Sequence, residues 1–468
     1  MGRVMHRESG VHTARPGSRF LPAALLALAV GCGGSGDEPT GTPEPQPPSP
    51  APVAVALEPP TSEPSRLPSD PRPESGSPAP EEPAPQVASW FHRLGGPQDD
   101  TGTGLAVDGT GDISVVWLSS PRMDEDREPV PGERRALTLA RYAPDGQVRW
   151  TREFSRMRVA SPSVAVAPSG ELFLTGNAFL YPLDFGLGAA NDGFLVKFSG
   201  DGQALWQRRV GQKVYGVAAD GEGGVLVAAE EWVPEGHLPV LAHHDAEGVF
   251  RWTRQLDPVA EGTALHAVTF LPSGQALLAG RLVGTLTVDG RTFGTAHGRG
   301  LVLLAFTSDG RLAWGKEVRG VEGHVTGVKP APDGGVALVG EFRGSLPWGG
   351  TTLTGSGAFA LAAGPDGAEH WLHSLACGAR PAPPVVTVDD RAQVVAACGG
   401  VLSAYAPEGT QRDERTLSPG ECSEGGCPVV GTALGFVPGR GLMLLGHQRH
   451  GGAGDAWDQE AFLRLLGP

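Results

Sequence analysis

One short sequence phrase recurs along the chain and constrains the fold more than any other feature. Its clearest copy is Leu303–Trp314 (LLAFTSDGRLAW), where an apolar run meets a Ser-Asp-Gly turn and a second run ends on tryptophan. The same phrase appears at Leu139–Trp150, Leu195–Trp206, Leu241–Trp252 and Ala360–Trp371, with a degenerate copy at Leu402–Asp413. A repeated phrase of this kind predicts a repeated structural unit.

A second kind of unit precedes each copy of the phrase. It consists of a short apolar run, a turn that contains Gly or Asp, and another apolar run, which is the sequence pattern of a β-hairpin. Seven such units are present: Gly104–Leu118, Ser163–Thr175, Val214–Ala229, Leu265–Gly280, Val325–Gly340, Val385–Ala397 and Thr432–Gly446. The abundance of glycine and proline, 70 and 43 residues, suits many short strands joined by tight turns.

One hairpin followed by one tryptophan phrase makes four antiparallel strands in about 42–62 residues, the size of a propeller blade. The tryptophan occupies one fixed place in the outer strand, so we predict that it packs against the adjacent blade. These structural tryptophans are Trp90, Trp150, Trp206, Trp252, Trp314 and Trp371.

The two ends of the repeat region complement each other. Val87–Leu94 reads as an outer strand with no partners upstream, and Glu460–Leu466 begins a phrase but stops before its final strand. Pairing the two would close a ring and remove two exposed sheet edges. The sequence therefore predicts an all-β fold, a seven-bladed β-propeller over residues 87–468 that is closed by its N- and C-terminal strands.

The segment before the repeats has a different composition. Four arginines precede the apolar run Phe20–Val30, which is short for a membrane span and typical of an export signal. Ala29-Val30-Gly31-Cys32 resembles the lipobox of bacterial lipoproteins, so residues 1–31 are predicted to be a signal peptide and Cys32 the lipidated residue. The alternative is an ordinary cleaved signal with an incidental cysteine. Gly33 stands where an inner-membrane retention aspartate would lie, which favours the outer membrane.

Residues 32–86 are predicted to be the lipidated cysteine and a disordered, proline-rich tether. Residues 33–88 contain 17 of the 43 prolines and are otherwise rich in Ser, Glu and Ala. Such a composition cannot bury a core. The expected arrangement is a folded body held at a membrane by the lipid alone.

The repeats carry a family resemblance. The tryptophan phrase, with inserts such as Asp184–Phe194 and Gly284–Arg291, resembles the SBBP-type β-propeller repeats of secreted bacterial proteins. The Asp-Gly-x-x-x-Trp stretches are also locally similar to the tryptophan-docking motif of quinoprotein-type propellers, which include BamB-like lipoproteins, although Asp-Gly replaces their Thr-Gly. The resemblance implies a propeller in the cell envelope; such families contain scaffolds, binding proteins and a few enzymes.

Four cysteines besides Cys32 lie in the last third of the chain: Cys377, Cys398, Cys422 and Cys427. In an exported protein an even number favours disulfides. The shortest pairing is Cys422–Cys427, which leaves Cys377–Cys398 to tie neighbouring blades, although three pairings are open. A zinc site is the rival, but the spacing is poor and no histidine is well placed.

Other candidate functional residues are explained as well by structural roles. The Asp-Gly turns, with Asp108–Asp112 the nearest to a calcium loop, lack a full ligand set and are expected to be turns. The scattered histidines, including His243 and His244, are expected to lie singly at the surface. The charged stretch Ser119–Arg135 is predicted to project from its blade between the second and third strands and is a candidate contact surface, as are, more weakly, Trp232–Leu238 and Gln448–Gln459.

Charge and motifs narrow the function. The net charge is −15, so nucleic acid is not expected as a partner. We predict a monomeric, lipid-anchored envelope propeller that binds or scaffolds a protein or glycan. Because the sequence has no catalytic, metal or cofactor motif, we expect neither catalysis nor a bound metal or cofactor. The alternative is an enzyme, a lyase or hydrolase acting on an envelope polysaccharide, with acids, histidines or arginines converging in the central channel.

Overall fold

The computed structural model describes residues 89–467, apart from 97, 122–134, 156–157, 258, 379–381, 418–428 and 452–456. The predictions for residues 1–88, including Cys32, and for Cys422 and Cys427 fall outside this range. The described part of the chain contains strands and turns and no helix, so it has no helix that could cross a bilayer.

Twenty-eight strands form seven four-stranded antiparallel sheets. In chain order they are β1 (Trp90–Leu94), β2 (Asp99–Val107), β3 (Ile113–Ser120), β4 (Ala136–Tyr142), β5 (Val148–Ser155), β6 (Arg158–Val166), β7 (Leu172–Asp184), β8 (Ala189–Phe198), β9 (Ala204–Gly211), β10 (Lys213–Ala219), β11 (Val225–Val233), β12 (Gly236–His244), β13 (Phe250–Gln255), β14 (Ala264–Phe270), β15 (Ala276–Val288), β16 (Arg291–Phe306), β17 (Leu312–Arg319), β18 (Val321–Pro330), β19 (Val336–Trp348), β20 (Thr351–Ala363), β21 (Glu369–Leu375), β22 (Val385–Val388), β23 (Val394–Cys398), β24 (Val401–Tyr405), β25 (Gln411–Thr416), β26 (Val429–Val437), β27 (Gly441–Gly451) and β28 (Trp457–Leu466).

Six blades use four consecutive strands each, so blade 1 is β2–β5 and blade 6 is β22–β25. The seventh joins β26, β27 and β28 to β1. Trp90 pairs with Leu465, and the rings of Phe91 and Phe462 stack with centroids 5.6 Å apart. The predicted closure of a seven-bladed propeller by its first and last strands is confirmed.

The first strand of each blade lines the centre of the ring, and each of these inner strands contacts the next around the circle, including β26 with β2. The middle strands are buried on both sides; every residue of β4 is buried. This explains why they read as continuous apolar runs and do not alternate. We call the side with the turns between second and third strands the hairpin face, and the side with the other intrablade turns the turn face.

The repeated tryptophans join neighbouring blades, as predicted. Each indole lies against a glycine in the last turn of the next blade: Trp90 on Gly146, Trp150 on Gly202, Trp206 on Gly248, Trp252 on Gly310, Trp314 on Gly367 and Trp371 on Gly409. At the last of these, Trp371 Nε1 donates to the Pro407 carbonyl oxygen at 3.0 Å, and a Cβ on Gly409 would lie 2.6 Å from the indole. Gly409 also has a φ of +91°, which only glycine adopts readily. The glycine of this turn, which follows Asp or Glu in each blade, therefore both forms the turn and leaves the space in which the indole packs.

Five of these six indoles also donate to a backbone carbonyl of the same turn. Trp252 is the exception, since its buried Nε1 has no hydrogen-bond partner among the described residues.

The interface between blades 6 and 7 is built differently. The outer strand of blade 6, β25, carries Asp413 at the position where the other blades have tryptophan. In blade 7 the third and fourth strands, β28 and β1, are not consecutive in the chain, so no turn joins them. A cavity of about 540 Å³, lined by residues of both blades, lies at this interface on the turn face.

A disulfide joins Cys377, which follows β21 of blade 5, to Cys398 at the end of β23 in blade 6, with their Cα atoms 4.7 Å apart. The predicted Cys377–Cys398 pair and its link between neighbouring blades are confirmed. Closing a loop of this size restricts the unfolded chain and contributes about 3 kcal/mol to stability.

The nearest candidate for a calcium loop holds arginine instead. Asp108 and Asp112 both pair with the buried Arg141, whose Nε lies 3.2 Å from Asp112, and Asp108 Oδ1 accepts from the backbone of its own turn. The prediction that Asp108–Asp112 forms a turn is confirmed. The predicted surface location is wrong for two histidines: His243 and His244 are buried. His243 fills an interior position because its Nε2 meets Asp220 at 2.8 Å.

Candidate functional site at the central channel

The inner strands bulge where they line the channel. In six of the seven blades the pairing between the first and second strands slips, for example between Val214 and Gly216 and between Leu265 and Ala267. In five of them a single extra residue sits at the slip and lines the channel: Thr103, Tyr215, His266, Thr326 and Thr432. Bulges of this kind redirect a side chain and are common beside functional sites.

Three of the bulged residues have a local structural role. The hydroxyls of Thr103, Thr326 and Thr432 donate to carbonyl oxygens of the neighbouring second strand at 3.2, 3.4 and 3.3 Å. Thr326 also donates to the Pro384 carbonyl oxygen at 2.6 Å, just before β22 of blade 6, so all three hydroxyls have partners within the protein. These positions need no ligand to explain them.

Tyr215 and His266 occupy the same position in the adjacent blades 3 and 4 and behave differently. Their rings stack with centroids 4.3 Å apart and an interplanar angle of 30°. The stack needs close blades, and Gly216 provides this because a Cβ there would overlap the His266 carbonyl oxygen. Neither ring nitrogen of His266 has a hydrogen-bond partner among the described residues.

A buried carboxylate organises the hairpin-face end of this pair. Glu230, on β11, is 8% exposed and accepts three hydrogen bonds. The donors are the Tyr215 hydroxyl at 3.1 Å, Trp232 Nε1 at 2.8 Å and His237 Nδ1 at 2.7 Å. With three donors the carboxylate is held in place, and it orients Tyr215, Trp232 and His237 around the channel mouth.

The environment sets the protonation of these groups. Burial, helped by the charges of His324 and Arg281, lowers the pKa of His266 to about 4, so its imidazole is neutral at neutral pH. Burial and the Glu230 charge raise the pKa of Tyr215. Burial opposes ionisation of Glu230, but the three hydrogen bonds prevail and its pKa lies below the ordinary value. The mouth thus presents a neutral base, a protonated phenol and an anchored carboxylate.

An exposed indole borders the same mouth. Trp232, in the hairpin between β11 and β12, is 52% exposed although its Nε1 is bound to Glu230. The Lys213 ammonium lies 5.2 Å from its ring centroid. In blade 5, next to blade 4, His324 Nε2 lies 3.7 Å from a Glu341 oxygen. Aromatic and polar groups from blades 3, 4 and 5 therefore border the opening.

The channel itself is narrow. Its cavity has a volume of about 220 Å³, whereas pockets for drug-sized ligands hold about 300–1,000 Å³. Lys329 is a further titratable residue of the described lining, and burial lowers its pKa. The described lining residues include no carboxylate. The channel can admit a small group from a ligand whose bulk stays at the mouth.

Sequence spacing indicated no converging set of titratable side chains, and the structure brings Tyr215, Glu230, His237 and His266 together. The signal was available within the hairpin units, where VYGV and LHAV place Tyr215 and His266 at the position that threonine holds in VTGV. Among the described residues, no three His, Cys, Asp or Glu side chains are grouped to hold a metal.

No known protein family matches the chain, and no curated protein is significantly similar to it. Among solved structures, a protein of unknown function from Dyadobacter fermentans is 15% identical, covers 70% of this chain and 97% of its own length, and has a TM-score of 0.42. The polysaccharide lyase Uly1 is 10% identical, with coverages of 78% and 90% and a TM-score of 0.42. A gluconolactonase from Xanthomonas campestris is 15% identical, with coverages of 74% and 95% and a TM-score of 0.33. Similarities this distant assign no function.

Proposed function

We propose that this protein is a lipid-anchored cell-envelope receptor that binds a glycan at the hairpin-face mouth of its channel. The observation that carries the proposal is the exposed Trp232 indole, fixed beside the polar network of Glu230, Tyr215 and His237. A sugar ring has an apolar face for an indole and hydroxyls for polar groups at its edge. An aromatic side chain with a polar edge suits such a ligand.

The entry of the chain into the ring supports this role. β1 begins beside the end of β28, on the turn face, so the chain enters on the side opposite the mouth. An anchor at Cys32, on the outer membrane, with residues 32–86 as a tether, leaves the mouth free to meet a ligand. The recognition is by a monomer and makes or breaks no bond.

Binding to envelope polysaccharide fragments, measured by titration calorimetry, tests the proposal. Trp232→Ala is expected to weaken binding at least tenfold because the indole platform is lost. Phe250→Ala is the matched control, since Phe250 is 58% exposed on the turn face and should leave affinity unchanged. Equal effects of the two substitutions, or no binding by the parent protein, would refute the proposal.

A second candidate function follows from the neutral His266 beside the protonated Tyr215: β-elimination on a uronic-acid polysaccharide. His266 would take the proton next to the sugar carboxylate as the carbon–carbon double bond forms. Tyr215 would give its proton to the departing glycosidic oxygen as the carbon–oxygen bond breaks. A carboxylate pair for hydrolysis is missing from the described lining.

Ultraviolet absorbance of the unsaturated product tests this second candidate. Lyase activity predicts product with the parent protein and at least a hundredfold slower formation with Tyr215→Phe or His266→Gln. Binding without product assigns the site to recognition alone.

A further inference from the structure

The cavity between blades 6 and 7 is the place where the ring lacks its repeated joint. We call it the open groove; its walls include Thr387, Val395, Leu402, Ser403, Asp413 and Leu442. We propose that residues 84–88, which immediately precede β1, dock in the open groove as an extended segment. They would take the place of the turn that blade 7 lacks.

The first argument is the regularity of the ring. At each of the other six interfaces, the outer strand of one blade receives the last turn of the next blade. At the open groove, both the tryptophan and the turn are missing from the same joint. The resulting groove is open to solvent and has a volume of about 540 Å³, which is room for a short peptide segment; its wall also carries charged residues such as Arg391 and Arg440.

The second argument is position. β1 and β28 pair with Trp90 opposite Leu465 and Phe91 opposite Arg464, so continuing this register by two residues sets residue 88 opposite Gly467. Gly467 is itself part of the wall of the open groove. The chain that leads into β1 therefore arrives at this cavity. Five extended residues reach about 17 Å, enough to cross it.

The third argument is sequence. In blade 1, residues 143–149 (APDGQVR) make the last turn before Trp150, and residues 84–89 (APQVAS) precede Trp90. The two stretches share Ala-Pro and Gln-Val, but the second lacks the Asp-Gly that forms the turn. It is uncharged, and Val87, its largest aliphatic side chain, suits the apolar part of the wall at Val395, Leu402 and Leu442.

Cysteine labelling in the full-length protein in detergent tests the docking. Ala404, on the groove wall and partly buried, is changed to Cys, and its reaction with a maleimide is followed by peptide mass spectrometry, which separates it from the native cysteines. Replacing residues 85–88 by Gly-Gly-Ser-Gly is expected to raise the labelling rate at least tenfold. The same replacement at residues 71–74, within the proline-rich segment, is the control and should leave the rate unchanged. Equal rates in all three proteins, fast or slow, would overturn the proposal.

Photocrosslinking is an independent readout because it changes a single side chain and leaves the rest of residues 84–88 as they are. A benzoylphenylalanine at position 87 is expected to crosslink within the same molecule to peptides that contain residues 387–404 or 413. The same group at position 72 should give no such product. Crosslinks from position 87 only to a second copy or to another protein would show that the open groove serves a partner and would overturn the proposal.

Discussion

Six of the seven blade interfaces share one joint, and the interface between blades 6 and 7 lacks it. At the six, an indole lies on a glycine that a side chain could not replace, as Trp371 does on Gly409. At the seventh, an aspartate faces a cavity. The comparison shows that the tryptophan is kept where the next blade supplies a glycine turn and is absent where the chain cannot supply one.

The largest expected difference is between Trp371→Ala and Asp413→Ala. Trp371 is 7% exposed and loses its packing and its hydrogen bond, so the free energy of unfolding should fall by about 3–5 kcal/mol. Asp413 is exposed, and its removal should cost less than about 0.5 kcal/mol. Denaturant unfolding of both variants measures this; similar losses would contradict the comparison.

Low pH should destabilise one of the six tryptophan joints more than the others, namely the joint between blades 2 and 3. Before the docking turn, blades 1, 2, 4 and 6 carry Tyr142, Phe198, Phe306 and Tyr405, whereas blade 3 carries the fully buried His244. Burial, then the charges of Arg208 and His243, lower the pKa of His244 to about 4 from 6.5.

Between those two pH values the unfolded chain binds the proton and the folded one does not, so stability is lost as the pH falls from about 6.5 to about 4. The loss attributable to His244 is up to about 3 kcal/mol. His244→Phe should remove that share of the acid sensitivity, while His266, with the same direction of shift, retains its own. Unfolding curves at pH 7 and pH 4.5 measure the difference, and an unchanged pH dependence would contradict it.

Replacing Gly409 should lower the free energy of unfolding less than removing the Trp371 indole, but more than replacing an ordinary turn glycine. Gly409→Ala introduces both strain at positive φ and overlap with Trp371, and we expect it to cost about 2–3 kcal/mol. Gly439 has a φ of +68° with nothing near its missing Cβ, so Gly439→Ala should cost only about 1 kcal/mol. Equal costs, measured by thermal or denaturant unfolding, would mean that the indole has no need of the glycine.

The smallest effect is expected from placing a tryptophan at position 413, in the interface between blades 6 and 7. Asp413→Trp supplies the indole without the glycine turn that should receive it. We expect a change in the free energy of unfolding of less than about 1 kcal/mol. A gain close to the loss caused by Trp371→Ala would show that the tryptophan alone makes the joint.

The ring was predictable because its evidence is periodic. Trp150, Trp206 and Trp314 mark the same place in successive blades, and the incomplete units around Trp90 and Phe462 could be joined in only one way. The even number of cysteines predicted disulfides but left three pairings open, and Cys377–Cys398 was the pair that remained once the closest two cysteines were joined.

The channel site was not predictable in the same manner. Tyr215 and His266 are 51 residues apart, and their contact depends on bulges at equivalent positions and on the closeness that Gly216 allows. Hydrophobic pattern reports which strand a residue belongs to and does not report a slip in pairing. His243 and His244 were misplaced for a related reason. His244 stands where blade 1 has Tyr142, and His243 stands where blade 1 has the buried Arg141, so both occupy positions that the repeat buries.

The pairing of β1 with β28 sets an order of events during synthesis. Of the strands of the ring, β1 is made first and its partner β28 last, so the earliest segment waits for nearly the whole propeller to be translated. Contacts of such long sequence separation form slowly, and unpaired strands are prone to aggregate meanwhile. We therefore expect the last step of folding to be the pairing of Trp90–Leu94 with β28.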